Sequence, residues 1–270
     1  MLVLPGTLPW AHSHQLGEAM TLEDFVFLGK TVPEPNSDGR VFVCSAGWSR
    51  ELRSLVRIYP LSRFLAPKTW SVCTVRLQRN PRDSRNESFQ LFGDRHDGHA
   101  EINHECITAH SDVKPASLAD ELRKRMCPSI RQANDRRLSL ALVRPKNPEV
   151  HFEYNPDSPA SPQLALFDAP QNMPEFGSKR FAYIPRIHFW DEDGEHDLQL
   201  REWGCYEFLR KQGEENRHKL NPHLSADSTL LVGNLNNHRT AWVVISVLNG
   251  LAPTKQRALF GDFELTQETT

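Results

Sequence analysis

Apolar and polar residues alternate along this chain in short runs, and glycine or proline cuts most of the runs. A period of two marks strands with one face in a core. It predicts strands at 24–30, 41–45, 54–59, 71–77 and 87–92, and again at 138–143, 150–154, 180–190, 196–200, 229–232 and 241–248. Two segments carry helical spacing instead. Leu118, Leu122 and Met126 line one face of a helix that Ser117 caps, with Asp120 three residues on, and that Pro128 ends. Trp203, Tyr206 and Leu209 recur three apart in a second helix over 201–212. Asp191 to Gly194 is a hairpin turn by composition, and the polar, histidine-rich stretch 94–113 is a loop. The pattern predicts a mainly β (α+β) protein whose strands fall into two halves, each with a helix.

Pro156, Pro159, Pro162, Pro170 and Pro174 crowd residues 155–175, which are therefore expected to link the halves. This gives an N-terminal extension at 1–23, a first unit at 24–154 with a helical insertion, a second at 176–252 and a tail at 253–270. The apolar start lacks the basic region of a signal peptide, and no run is long enough for a membrane span. The five cysteines form no CxxC pair and no even framework, which favours a reducing compartment and a cytoplasmic location.

Charge narrows the picture. With 32 basic and 34 acidic residues the formal net charge is −2, so any polyanion site must be a local patch. Such a patch is suggested by arginines at 50, 53, 57, 63, 76, 79, 82 and 85, among short strands with aromatic residues. Arginine forks hold phosphate in pairs of hydrogen bonds, and aromatic rings stack bases.

Several motifs in this stretch resemble a bacterial family, the dual OB-containing domain proteins. They are Cys44 to Trp48 (Cys-Ser-Ala-Gly-Trp), the strand Leu55 to Leu61 ending in Tyr59-Pro60, and the turn Arg82 to Ser88. Phe181 to Phe189, His196, Glu202, Trp203 and Trp242 to Val247 are similar to the family's second unit. The resemblance covers roughly residues 24–250. It implies two small OB-like β-barrels, each with a helix, and a setting among mobile elements and anti-phage defence, with no active site to carry over. OB barrels commonly bind single strands.

Candidate sites follow. Arg53, Arg57 and Arg85 are expected at phosphate or base edges, with Trp48 and Trp70 as stacking platforms and Tyr59 as a third ring. Asp83 and Glu87 either orient the arginines or neutralise them in an ion-pair network. The loop bearing Asn237, His238 and Arg239 offers further polar contacts. His188, Asp191, Asp193 and His196 form a candidate metal cluster, the basis of an alternative reading as a metal-dependent nuclease. His96, His99, His104, Cys106 and His110 match no zinc signature. Gln163, Leu164, Leu166 and Phe167 resemble the peptide by which bacterial proteins dock on the DNA sliding clamp, an adaptor reading in which the partner is the clamp or another defence protein. No phosphate-binding loop, nucleophile elbow or kinase set is present. The expected function is binding of nucleic acid or a nucleotide, without a cofactor and away from membranes. Whether the chain is an enzyme stays open.

Overall fold

The computed structural model describes residues 19–35, 40–93, 104–158, 177–224 and 227–251. They form a mainly β protein with two sheets. The first contains β1 (Met20–Lys30), β2 (Glu34–Pro35), β3 (Val41–Ser49), β4 (Ser54–Ser62), β5 (Ser71–Arg79), β6 (Ser88–Leu91) and β7 (Ile107–Asp112). Its order is β1-β3-β4-β6-β5, and β5 returns to β1, so five strands close into a barrel. β4 and β6 run parallel while the other barrel pairs are antiparallel. On β5, Ser71, Cys73, Val75 and Leu77 are buried and alternate with more exposed residues, as period-two patterning requires. Cys73, Val75 and Leu77 join Phe25, Phe27, Val56, Ile58 and Phe89 in the barrel core. Gly47 has no room for a side chain there, because a Cβ would lie 2.3 Å from the Phe25 ring and 2.4 Å from the Val26 carbonyl oxygen.

The second sheet contains β8 (Met126–Cys127), β9 (Leu140–Val143), β10 (Lys146–Tyr154), β11 (Tyr183–Trp190), β12 (Glu195–Leu200), β13 (Thr229–Asn234) and β14 (Trp242–Leu248), in the order β10-β11-β12-β14-β13-β9-β8. Its connectivity repeats that of the barrel. A meander of three strands leads to a hairpin whose second strand lies parallel to the third meander strand. The sheet's end strand β10 and β9 are consecutive in the chain, separated by Arg144 and Pro145. Proline lacks the ladder N–H, which fits a break at that point. β9 pairs with β13 while β10 pairs with β11, so the two pieces take the places that β1 fills alone in the barrel. Three helices accompany the sheets: α1 (Pro115–Arg123), α2 (Ile130–Asp135) and α3 (Trp203–Gln212). α3 places the fully buried Tyr206 against Phe181, with ring centroids 5.1 Å apart, in the core of the second sheet. No described helix is long and apolar enough to cross a membrane.

Several expectations change. β1 begins at Met20, so residues 20–23 belong to the barrel rather than to an extension. β8, β9 and β10 pair within the second sheet, so the boundary between halves falls near α1 and not at 155–175. Residues 107–112, expected as loop, form β7 because Cys73, Thr74 and Val75 offer them a ladder. α1 starts at Pro115, whose missing N–H costs nothing in the first turn, and the Ser117 hydroxyl donates to the Lys114 carbonyl instead of capping. Met126 lies beyond that helix, in β8. The short α2, capped by Ser129, has too few turns to show a period.

A third apolar cluster joins the sheets along a seam: Val26, Leu28, Ala46 and Trp48 of the barrel pack with Leu118 and Leu122 of α1 and with Leu140, Leu142, Leu231, Ile245 and Leu248. Backbones come close where β1 meets β14, since a Cβ on Gly29 would lie 2.3 Å from the Ser246 Cβ. Gly29→Ala should therefore lower stability by about 1–3 kcal/mol through overpacking. Gly204→Ala, on an open face of α3 with nothing near its Cβ, should be neutral or stabilising. Urea midpoints of the two variants check this.

Candidate functional site

The arginines of the barrel have separate fates. Arg50 pairs with Glu121 of α1. Arg76 and Arg79 lie over the barrel's own Phe92 and Phe89, at 4.2 and 4.7 Å from the ring centroids. Arg53 is exposed in the turn between β3 and β4, at a positive φ of 49°. Arg57 and Arg85 are buried in the seam, 2% and 8% exposed.

Arg85 forks onto Asp83, with Nε 2.8 Å from Oδ1, and its Nη1 donates to the Asn234 carbonyl of the second sheet at 2.7 Å. Asp83 also accepts from the Ser88 hydroxyl at 2.6 Å and from the Arg85 backbone N–H at 3.1 Å. Burial raises the Asp83 carboxyl, but the hydrogen bonds from Arg85 and Ser88 and the guanidinium charge outweigh it. The carboxyl is held below the usual aspartate value. Glu87 accepts from the Ser139 N–H at 3.0 Å and from its hydroxyl. Arg57 reaches the same residue, its Nη2 donating to the Ser139 carbonyl at 2.6 Å, while Nη1 lies 3.2 Å from the Cys44 sulfur. Across the seam, Asn236 donates to the Arg82 carbonyl at 3.3 Å and Arg239 to the Ser84 hydroxyl at 2.9 Å. The ion-pair network expected of Asp83, Arg85 and Glu87 is thus a clamp between the two sheets.

Two cavities flank the Arg85–Asn234 contact. The larger, about 390 Å³, is lined by residues that include Ser84, Asn86, Glu87, Arg137, Arg239 and Thr240. The smaller, about 260 Å³, lies between β3 and β4 of the barrel and β14, with Thr31, Glu34, Phe42, Cys44, Arg57 and Tyr59 on the barrel side. Arg201, Asn234, Leu235, Asn236, Val243 and Ile245 face them. Three guanidiniums line this smaller cavity. Arg85 is neutralised by Asp83 and Arg201 by Glu34, which leaves Arg57 with no carboxylate partner among the described residues. The buried Nε atoms of Arg57 and Arg201 both lack a hydrogen-bond partner. An unpaired buried cation is costly, so this wall is electrostatically incomplete. Tyr59 adds a ring that is 41% exposed. Burial raises its phenol, the charges of Cys44 and Glu34 adding to the effect and Arg201 and Arg85 opposing it, so the hydroxyl stays a neutral donor at physiological pH.

The structure therefore gathers Arg57, Arg85 and Tyr59 at the seam, with the loop of Asn237, His238 and Arg239 exposed beside it. It does not bring the two tryptophans there. Trp48 is 2% exposed within the seam core and its indole N–H donates to Glu121, so it cannot stack a base. Trp70 packs half-buried at the far end of the same cluster, and Arg53 lines neither cavity. Sequence reasoning missed Glu34, Phe42, Cys44 and Arg201. The alternation in β3 was a usable signal for two of them, since Phe42 and Cys44 share the face of Trp48. Nothing local marks Glu34 or Arg201.

The proposed metal cluster is put to other uses. Asp191 accepts from the Ile130 N–H at the start of α2 and from the N–H groups of Asp193 and Gly194, closing its own turn. Asp193 accepts from Ser129, and His188 pairs with Glu195. His196 Nε2 is 2.7 Å from Asp191 Oδ2, outside hydrogen-bond alignment. Among the described residues no three His, Cys, Asp or Glu side chains are placed to hold a metal ion. His96, His99 and the clamp-like residues Gln163, Leu164, Leu166 and Phe167 lie outside the described residues. Cys106 donates to the Phe92 carbonyl at 3.2 Å and His110 Nε2 lies 2.7 Å from the Thr74 hydroxyl, so neither leads to a zinc site.

Comparison with known proteins adds one match: a family model described as a domain of unknown function (DUF8758) fits residues 21–116, the barrel with β7 and the first residues of α1. No curated protein and no solved structure matches the chain.

Removing Asp83 strands Arg85 in the seam. Asp83→Asn is expected to cost about 3–5 kcal/mol at neutral pH. Because the folded-state pKa is depressed, the carboxylate's contribution is complete above the unfolded value of about 3.9 and is lost as pH falls through the lower folded value. The gap between wild type and variant should therefore narrow below about pH 4, as read by urea titrations at neutral and acid pH.

Proposed function

We propose that the chain binds nucleic acid or a nucleotide at the smaller seam cavity, with phosphate toward Arg57 and Arg201 and a base against Tyr59. The observation that carries this reading is the buried Arg57 guanidinium, uncompensated by any described carboxylate and lining a cavity whose rim holds an exposed aromatic ring. Arginine supplies the planar fork that phosphate oxygens match, and Tyr59 a π-face for any base. Fold supports it as analogy. The order β1-β3-β4-β6-β5-β1 with one parallel pair is the strand order of an OB barrel, and the second sheet reads as its counterpart, with β9 and β10 as a broken first strand and α3 between the third and fourth. In OB barrels the second and third strands form the ligand face. Here those strands are β3 and β4, which carry Phe42, Cys44, Arg57 and Tyr59. The equivalent face of the second sheet is less suited, because Arg186 is held by Glu153 and Asp197 and the remaining charge is acidic. Membership of the dual OB-containing domain family, a mobile-element or anti-phage setting and a cytoplasmic location belong to the same reading, and the five free thiols accord with the last.

The test is fluorescence anisotropy with labelled single-stranded DNA and RNA and with nucleotide competitors. Tyr59→Ala, at an exposed position, should weaken binding roughly 5- to 150-fold, the range of one lost stacking contact of about 1–3 kcal/mol. Affinity unchanged in both Tyr59→Ala and Arg57→Lys, with each variant folded by circular dichroism, would overturn the site.

A further inference from the structure

Resting on that reading, we infer that the seam cavity takes a single nucleotide with a terminal phosphate, free or at the end of a strand, rather than a threaded polynucleotide. The argument is from what covers the ligand face. A single strand crossing an OB groove occupies about 4–16 nucleotides. On this barrel most of that groove is occupied by protein, since Ala46 and Trp48 of β3 and Leu55 of β4 pack with Leu140, Leu231, Ile245 and Leu248 across the seam. Among the described residues, the end bearing Phe42, Cys44, Arg57 and Tyr59 stays open.

The open end is closed in depth as well. Arg85 and Asn234, joined at 2.7 Å, stand between this cavity and the larger one and bar a strand from passing through. Its volume of about 260 Å³ falls below the range of roughly 300–1,000 Å³ typical of sites for drug-sized ligands. That suits one base and one phosphate. Charge points the same way. Three guanidiniums face the carboxylates of Glu34 and Asp83, and the surplus is a single positive charge on Arg57, backed by unpartnered Nε atoms on Arg57 and Arg201. A single charge alone would be met by an internal diester, but the two unpartnered Nε atoms call for further acceptors, and a terminal phosphate brings more acceptor oxygens than a diester.

Cys44 provides a reporter. It lies beside Arg57 in the cavity, and it alone among the five cysteines is not buried. Burial also pushes the Cys73 thiol up to about 11 and raises Cys205 strongly, which slows their alkylation further. The rate of Cys44 alkylation by iodoacetamide, read by peptide mass spectrometry, therefore reports occupancy.

The experiment compares nucleoside monophosphates, the matching nucleosides, and short oligonucleotides with a 5′-phosphate, a 3′-phosphate or hydroxyls at both ends. Nucleoside monophosphates are expected to protect Cys44 and to bind at least about tenfold more tightly than nucleosides. Oligonucleotides with hydroxyl ends should protect poorly. Protection by a phosphorylated oligonucleotide equal to that by the mononucleotide identifies a strand end as the source, and its log K should then fall with log salt with a slope near −0.7, that of one phosphate. Tyr59→Ala should weaken binding of mononucleotides and of phosphorylated ends alike, leaving the preference for phosphate over hydroxyl ends in place, while the protein stays folded. Oligonucleotides that bind regardless of their ends, with a steeper slope and with mononucleotides inert, would overturn this inference and leave nucleic-acid binding standing. If neither mononucleotides nor oligonucleotides bind or protect, the broader reading fails with it.

Discussion

Everything in this structure that lies between the two sheets depends on burying guanidinium groups in the seam. Arg85 can sit there because Asp83 forks onto it, Ser88 supports the fork, and Asn234 of the opposite sheet offers its carbonyl. A buried ion pair adds little net stability over well-packed apolar groups, yet leaving one member alone is strongly unfavourable. The pair therefore acts as a constraint on geometry: the sheets meet in a register where Arg85 finds Asn234 and Glu87 finds Ser139. Apolar packing of Leu28, Leu142, Leu231 and Leu248 supplies the non-directional attraction along the same seam.

Arg57 breaks the pattern, and so the proposed site is built around it. It sits one strand from Arg85 and is equally buried, but its partners are a carbonyl and a thiol in place of a carboxylate. Glu87, a counter-ion the sequence pattern offered, gives its carboxylate to Ser139. The fold thus satisfies one arginine completely and the other only partly, at the edge of a cavity. Incomplete satisfaction of a buried polar group calls for an explanation, and the proposed ligand supplies one.

The strands and the mainly β class were legible because period-two burial writes itself directly into sequence, as in Val43, Val56, Ile58, Val75 and Leu77. Asp83, Arg85 and Glu87 were legible as a charged constellation because they crowd one turn of chain, and Arg57 joined them as a charged position in a nearby strand pattern. The division into halves was not. β9 and β10 precede the proline-rich stretch and look like a continuation of the first unit, but their ladder partners in β13 and β11 lie on the other side of it. Pairing across so many residues leaves no local trace. The same holds for Arg201 and Glu34, which meet across the fold to complete one wall of the cavity.

Placement of the aromatic rings shows why residue type alone misleads about a binding surface. Trp48 and Tyr59 occupy neighbouring strands and both are stacking-competent rings. Trp48 lies where α1 and the second sheet cover β3, and packing claims it. Tyr59 lies beyond that cover, and its ring remains open beside Arg57. The difference is set by how far the second sheet extends over the barrel, a property of the seam and not of either strand. The extent of that cover thus fixes two things together: which ring stays open, and how much of the barrel face the proposed ligand could reach.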